Sequence, residues 1–169
     1  MITVTTRLQY NPRVAEEAQA LIIRTMDRMS GFARRVAVEG APKDTGQLIN
    51  SIHMVREFNH PIYVGGIRTN LPYAVVMEEG RRPGGAMPPF LPLFRWVVRH
   101  ASSFGVRRRA RSAEARLKSV TYLVRRKIAE RGIEGKHFFK KAEQAVRAEF
   151  EREIRALGLS IQRSWESGG

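Results

Sequence analysis

The sequence predicts an α+β fold: a small antiparallel β-sheet, a long N-terminal helix and C-terminal helices. Three observations predict these parts. Apolar residues recur at three- and four-residue steps from Val14 to Val36, the period of one helix face. Two β-rich runs, "QLINSIHMVREF" and "PIYVGGIRT", lie either side of the turn-forming "FNHP". After residue 112 come two stretches of helix-forming composition, separated by "IEGKHFF".

Taken in order, "ITVTTRLQY" is rich in β-branched residues and reads as a short strand or an extended arm. Asn11-Pro12 supplies an N-cap and a proline at the first helical position. The helix that follows carries Val14, Ala18, Leu21, Ile22, Thr25, Met29, Phe32 and Val36 on one face, and Gly40 is placed to end it. Its expected length is about 27 residues, or roughly 40 Å.

"GAPKDTGQL" has strong turn chemistry in Pro42, Asp44, Thr45 and Gly46. Two strands and their hairpin turn follow, with Gly65-Gly66 marking a bulge or a close backbone contact. Pro72 and Gly80 frame about two turns of helix. "RRPGGAMPP" reads as a surface loop, and a short helix is expected after Pro92.

Ser112 caps a helix that ends at Gly132, with Ala113, Leu117, Val120, Leu123, Val124 and Ile128 inward. The last helix turns Phe139, Ala142, Ala145, Val146, Phe150, Ile154 and Leu157 inward, and "LSIQRSWESGG" reads as a tail.

A chain of 169 residues suits one domain with an appendage. The expected division is an α+β core at 1–100 and a basic helical extension at 101–135. A C-terminal helix and tail at 136–169 would pack on that core.

The net charge is +14 and the pI about 11.2, with no cysteine. The absence of cysteine excludes disulfides and thiolate chemistry. No apolar run approaches the roughly 20 residues that span a bilayer, and "MITVTTRLQYNP" lacks the pattern of a signal peptide. The expectation is a protein made in the cytoplasm, with no membrane partner.

Charge is concentrated. Between Arg95 and Arg131 stand 12 Lys and Arg against Glu114 and Glu130. Four of the cations, Arg107, Arg108, Arg109 and Arg111, fall within five residues. Such a field suggests an anionic partner. From the residues alone a solvated charged face ranks first, docking on an acidic protein surface second, and DNA third. No DNA-binding motif accompanies the charge, and only Phe104 and Tyr122 could stack on bases there.

No catalytic constellation is evident. His53, His60, His100 and His137 form no metal-ligand spacing. No nucleophile elbow, dinucleotide fingerprint or phosphate loop occurs. Glu78-Glu79 reads as the end of a short helix, or as partners of Arg81 and Arg82. The expectation is no catalysis, no metal and no cofactor.

Four stretches align in order with a known family. "APKDTGQLINSI", "LPYAVVMEEGRRPG", "MPPFLPLFRWV" and "IAERGIEGKHFFKKAEQAV" together resemble the head–tail joining proteins of tailed bacteriophages, also called tail-component, tail-completion or neck proteins. The resemblance covers roughly residues 30–150. The matching positions are Asp44, Thr45, Gly46, Leu48, Ser51, Tyr73, Ala74, Glu78, Gly80, Phe138 and Phe139.

The resemblance implies an α+β, non-catalytic virion protein of the neck or upper tail. It implies a ring of identical subunits, six rather than twelve, in contact with neighbouring neck and tail proteins. The matching residues are expected to maintain the fold. Arg107, Arg108, Arg109 and Arg111, with Arg81 and Arg82, are the candidate contacts to a neighbouring ring or, in passing, to genomic DNA in the channel. The alternative reading is a nucleic-acid-binding protein that uses residues 95–131.

Overall fold

A computed structural model describes residues 12–59, 62–107 and 112–167. It contains a long N-terminal helix, a small antiparallel hairpin and C-terminal helices, so the fold is α+β. The chain divides into two compact units, Met1–Ala74 with His137–Gly169, and Val75–Lys136.

In the first unit, helix α1 spans Pro12–Gly40. Its buried line runs through Thr25, Met29, Ala33 and Ala37, every fourth residue, with Ser30 beside it. Thr25 and Met29 lie on the expected face; beyond them the line passes one residue on, through Ala33 and Ala37 in place of Phe32 and Val36, and Ile22 is 38% exposed. Small residues hold the line because a second helix comes close. That helix, α6, spans Phe138–Ser167.

The two helices meet tightly at Gly40, where an added Cβ would lie 3.3 Å from Phe138 Cβ. Further on, Arg28 pairs with Glu153 at 2.8 Å. Between these points α1 runs back by about 18 Å and α6 forward by about 22 Å at 1.5 Å per residue. The helices are therefore antiparallel. Phe138 is wholly buried and Ala142 is 1% exposed, and burying a side chain like Phe138 stabilises by roughly 1.5–3 kcal/mol.

Between the two helices in sequence, Gln47–Ser51 forms a short helix, α2. This corrects the expected strand, which begins only at His53. Gly46 takes the left-handed conformation, φ 77°, and its carbonyl accepts from the Asn50 N–H at 2.9 Å. Ser51 Oγ donates to the Leu48 carbonyl at 2.7 Å. The turn buries Leu48 and Ile52, at 3% and 0% exposure.

Strand β1, His53–Asn59, and strand β2, Ile62–Arg68, pair antiparallel. The turn residues His60 and Pro61 lie outside the described residues, as does the expected strand at the N-terminus. Pairing is one to one through Gly65 and Gly66, so there is no bulge. The glycine signal marks close contact instead: a Cβ on Gly65 would sit 3.0 Å from Ser30 Oγ on α1.

In the second unit, helix α3 (Ala74–Glu79) leads into a two-residue strand, β3 (Gly80–Arg81). Helix α4 spans Phe90–Arg99 and starts earlier than expected, ahead of Pro92. Proline is tolerated there because N–H groups of the first turn have no helical partner. A 3₁₀ turn, Ala101–Phe104, ends at Gly105 in the left-handed region.

Helix α5 spans Ala113–Arg131, as its capping residues predict. Val97, Ala101, Val106, Ala113 and Leu117 form the unit's core, with Phe94, Trp96, Val120 and Val124 against it. One core position was not expected: Thr121 is wholly buried, its hydroxyl satisfied by the Leu117 carbonyl at 2.7 Å. Leu123, expected inward, is 60% exposed.

"IEGKHFF" contains strand β4, Ile133–Glu134, which pairs antiparallel with β3. The presumed tail is the last part of α6, continuous to Ser167. No proline breaks it, and pairs such as Gln162–Glu166 support it at i,i+4 spacing.

Candidate functional site

The residues that carry the resemblance fall into three groups, and each has a structural task in its own unit. The first group is the turn at 44–46. Thr45 Oγ1 accepts from the Gln47 N–H at 3.4 Å, and Gly46 supplies the left-handed N-cap of α2. Ser51 and Thr69 share a hydroxyl–hydroxyl hydrogen bond of 2.7 Å, which joins the two ends of the hairpin. Ala74 is 3% exposed, whereas Tyr73 is 40% exposed. Burial raises the pKa of the Tyr73 phenol, and the Asp44 carboxylate raises it further. The Asp44 charge thus reaches Tyr73 from the other end of the hairpin segment.

The second group is a glycine lattice around β3 and β4. Gly80 has φ 81° and an added Cβ would lie 2.3 Å from the Ile133 carbonyl oxygen. Gly132 has φ 74° and faces the Arg81 carbonyl oxygen at 2.1 Å from such a Cβ. Gly135 would place a Cβ 2.4 Å from the Glu78 carbonyl oxygen. The Lys136 N–H donates to the Met77 carbonyl at 2.8 Å. Two backbone segments therefore approach so closely that only glycine fits on both sides. Gly80 and Glu78 take part through their backbones.

The third group is Phe138 and Phe139, whose rings lie 4.8 Å apart at the start of α6. Phe138 fills the space over Gly40 described above.

The candidate contact residues have mixed fates. Arg81 folds back, its Nη2 donating to the Ala86 carbonyl. Arg82 is exposed. The loop they begin is tied to α5: the Gly84 N–H donates to the Ala129 carbonyl at 2.7 Å, and Arg125 Nε donates to the Pro88 carbonyl at 2.7 Å. Arg125 also lies over the Phe90 ring, 5.6 Å from its centroid. At the loop's end Met87, Phe90 and Leu91 are exposed. Arg107 is exposed, while Arg108, Arg109 and Arg111 lie outside the described residues.

Along α5, Lys118 pairs with Glu114 and Arg126 with Glu130, each at 2.7 Å. The Lys118 ammonium holds the Glu114 carboxyl below its usual range, and Glu130 raises the Arg126 guanidinium. Arg116, Lys127 and Arg131 have no carboxylate within 4 Å among the described residues.

One polar node had no signal in the sequence. Asp27 on α1 accepts from Tyr63 Oη at 3.2 Å and pairs with Arg56 Nε at 2.8 Å, clamping both strands to the helix. Asp27 reads in the sequence as one more residue on the solvent face, and only the docking of the hairpin gives it partners.

Among the described residues, no group of three or more His, Asp or Glu is placed to hold a metal, and no helix is long and apolar enough to cross a membrane. No protein-family model, curated protein or solved structure matches the chain. The likeness to phage joining proteins rests on the four motif stretches alone.

Proposed function

We propose that this chain is a structural, non-catalytic virion protein of a tailed phage. It stands at the head–tail neck or the top of the tail, as a completion or terminator subunit, and joins head to tail. It assembles with itself into a ring, a hexamer in preference to a dodecamer, and meets the adjacent neck and tail proteins.

The observation that carries the reading is the use made of the motif residues. Gly46, Ala74, Gly80 and Phe138 shape turns, close backbone crossings and buried contacts. A motif set spent on architecture fits a protein that works through its surfaces. The exposed cations of the second unit supply such a surface, and charge of this kind steers and orients a partner.

Electron microscopy of lysates tests this, after deletion of the gene from its phage or prophage. DNA-filled heads beside separate, complete tails are the expected result. Tails of uncontrolled length place the chain at the terminator position, and normal infectious particles refute the reading. Within the ring, replacing Arg107, Arg108, Arg109 and Arg111 by Ser should weaken joining to the neighbouring ring. Unaffected joining with altered DNA retention would overturn that assignment.

A second reading, a nucleic-acid-binding protein, is favoured by one observation. The second unit holds 15 Lys and Arg against five Asp and Glu. With about six phosphate contacts, duplex affinity should fall roughly a thousandfold between 50 and 200 mM salt.

A further inference from the structure

We propose that Met87, Phe90 and Leu91, with Arg125, form a docking site for a short acidic segment of another protein. A large apolar residue of that segment packs on the three side chains, and a carboxylate of it takes the Arg125 guanidinium. The site lies wholly within the second unit. Met87, Phe90 and Leu91 are 39%, 36% and 54% exposed. They stand at the end of the Gly/Pro loop and in the first turn of α4. A free loop would have to be ordered by its partner, at a cost in affinity. This loop is already tied down at three places. Arg81 Nη2 donates to the Ala86 carbonyl, the Gly84 N–H to the Ala129 carbonyl, and Arg125 Nε to the Pro88 carbonyl. Pro88 is buried. Phe90 stacks on Phe94, with ring centroids 5.4 Å apart, and meets the Arg125 guanidinium 5.6 Å from its own centroid. The apolar surface is therefore formed before any partner arrives.

Arg125 supplies the polar half of the site. Lys118 and Arg126 on the same helix have carboxylates of their own, Glu114 and Glu130. Arg125 has none within 4 Å among the described residues. It is partly buried, and of its nitrogens only Nε has a hydrogen-bond partner among them. The outer guanidinium nitrogens suit a carboxylate, which can take them as a bidentate, charge-assisted pair. Arginine beside aromatic side chains is the composition of the patches that dominate protein interfaces.

Charge selects the occupant. The 33 residues from Gly80 to Ser112 hold eight arginines and no Asp or Glu. One of them, Arg95, stands one turn beyond Leu91 and is exposed. A second copy is a poor occupant: each chain carries +14, and offering the same surface would set arginine against arginine with no acid between. An acidic segment meets the opposite charge. The three apolar side chains are half-sunk in the unit. A peptide side chain packs on such a surface, whereas a bilayer takes up side chains that stand clear of it. Phosphates would satisfy the arginines but leave Met87 and Leu91 without a counterpart. The docking site stands on this unit alone, while the segment's origin in a neighbouring neck or tail protein rests on the reading proposed above.

The test uses the purified full chain and two fluorescein-labelled peptides of equal negative charge. One carries leucines at three- and four-residue steps among glutamates, and the other has serine at each leucine. Fluorescence anisotropy at about 0.15 M salt should give the leucine peptide a Kd of about 100 μM or tighter, and the serine peptide one at least ~10-fold weaker. Leu91→Asp and Arg125→Gln should each weaken the leucine peptide at least ~10-fold. Leu91 is 54% exposed, so its replacement keeps the fold, which circular dichroism checks. Ser119→Asp makes the same change of one charge at an exposed position elsewhere on α5, and should alter the affinity less than ~3-fold. The inference is overturned by a leucine peptide that does not bind at about 1 mM, by equal affinity for the two peptides, or by Ser119→Asp weakening binding as much as Leu91→Asp. It is also overturned by Arg125→Gln binding as the wild type does. A Leu91→Asp chain that loses anionic phospholipid vesicles or single-stranded DNA, yet keeps the peptide, overturns it too. If the peptide binds as stated but deletion of the gene leaves particles normal, the docking site stands and the neck reading falls.

Discussion

Gly80 and Gly84 offer a controlled comparison of two costs that are usually confounded. Their backbones are nearly the same, φ 81° and 79°. Alanine in the left-handed region costs roughly 1–2 kcal/mol. At Gly84 nothing lies within 4 Å of an added Cβ, so the conformational cost is the whole cost. At Gly80 the Cβ would meet the Ile133 carbonyl oxygen at 2.3 Å and the Gly135 nitrogen at 2.6 Å. Both are backbone atoms and cannot rotate aside. Relief requires β3 to part from β4 and the Lys136–Met77 bond to open. With about three backbone hydrogen bonds in play, at roughly 1 kcal/mol net each, this adds about 3 kcal/mol. Gly80→Ala should therefore lose roughly 4–5 kcal/mol, against 1–2 for Gly84→Ala. In a chain of this size that converts to a fall in Tm of roughly 8–20 °C against 2–8 °C. Thermal unfolding followed by circular dichroism measures both. Equal losses would refute the claim that backbone crowding, rather than φ, requires glycine at position 80.

Two further predictions follow from the first unit. Phe138→Ala should cost roughly 3–5 kcal/mol in denaturant unfolding, because the ring is wholly buried over Gly40. Burial, and after it Asp27, raises the pKa of Tyr63 above 10.0. A phenol whose folded pKa is raised stabilises fully below its unfolded value, and the contribution is lost as pH rises through the folded one. Stability should therefore decline above about pH 10, and Tyr63→Phe should remove part of that decline.

Local signals were legible where the chain itself enforces them. Gly132 gave the end of α5 and Gly40 that of α1, while Ser112 stands at the N-cap of α5 without a side-chain cap bond. Signals that depend on a partner were not. Ala33 and Ala37 look too small to define a face until α6 is seen packed along α1. Thr121 reads as polar, yet a threonine hydroxyl that returns to its own helix can be buried without loss. The helix at Gln47–Ser51 was hidden by alternation of apolar and polar residues, and Gly46 settled the matter by starting a turn. Of the candidate site, the turn at 44–46 was readable as a turn. The glycine lattice was not, because Gly80 meets Gly135 only through a two-residue ladder between distant segments.

The distribution of charge bears on what meets the second unit. The first unit has 15 Lys and Arg against 11 Asp and Glu, a net +4, while the second has 15 against five, a net +10. In the first unit acids are paired with bases along α1 and α6, as in Arg28–Glu153 and Arg147–Glu143. In the second, too few acids exist for the same to happen, so its excess charge is left to solvent counterions or to the partner proposed above. Both phosphates and carboxylates would serve. The apolar side chains on the same helix separate them. Tyr122 and Leu123 are 50% and 60% exposed on α5, between Lys118 and Arg126. A tyrosine could stack on a base, but leucine has nothing to gain from a phosphate backbone, and burying it needs an apolar counterpart. An interface that mixes arginine, tyrosine and leucine resembles a protein contact. On the neck reading proposed above, the mixture fits an acidic protein surface better than DNA as the partner of the second unit.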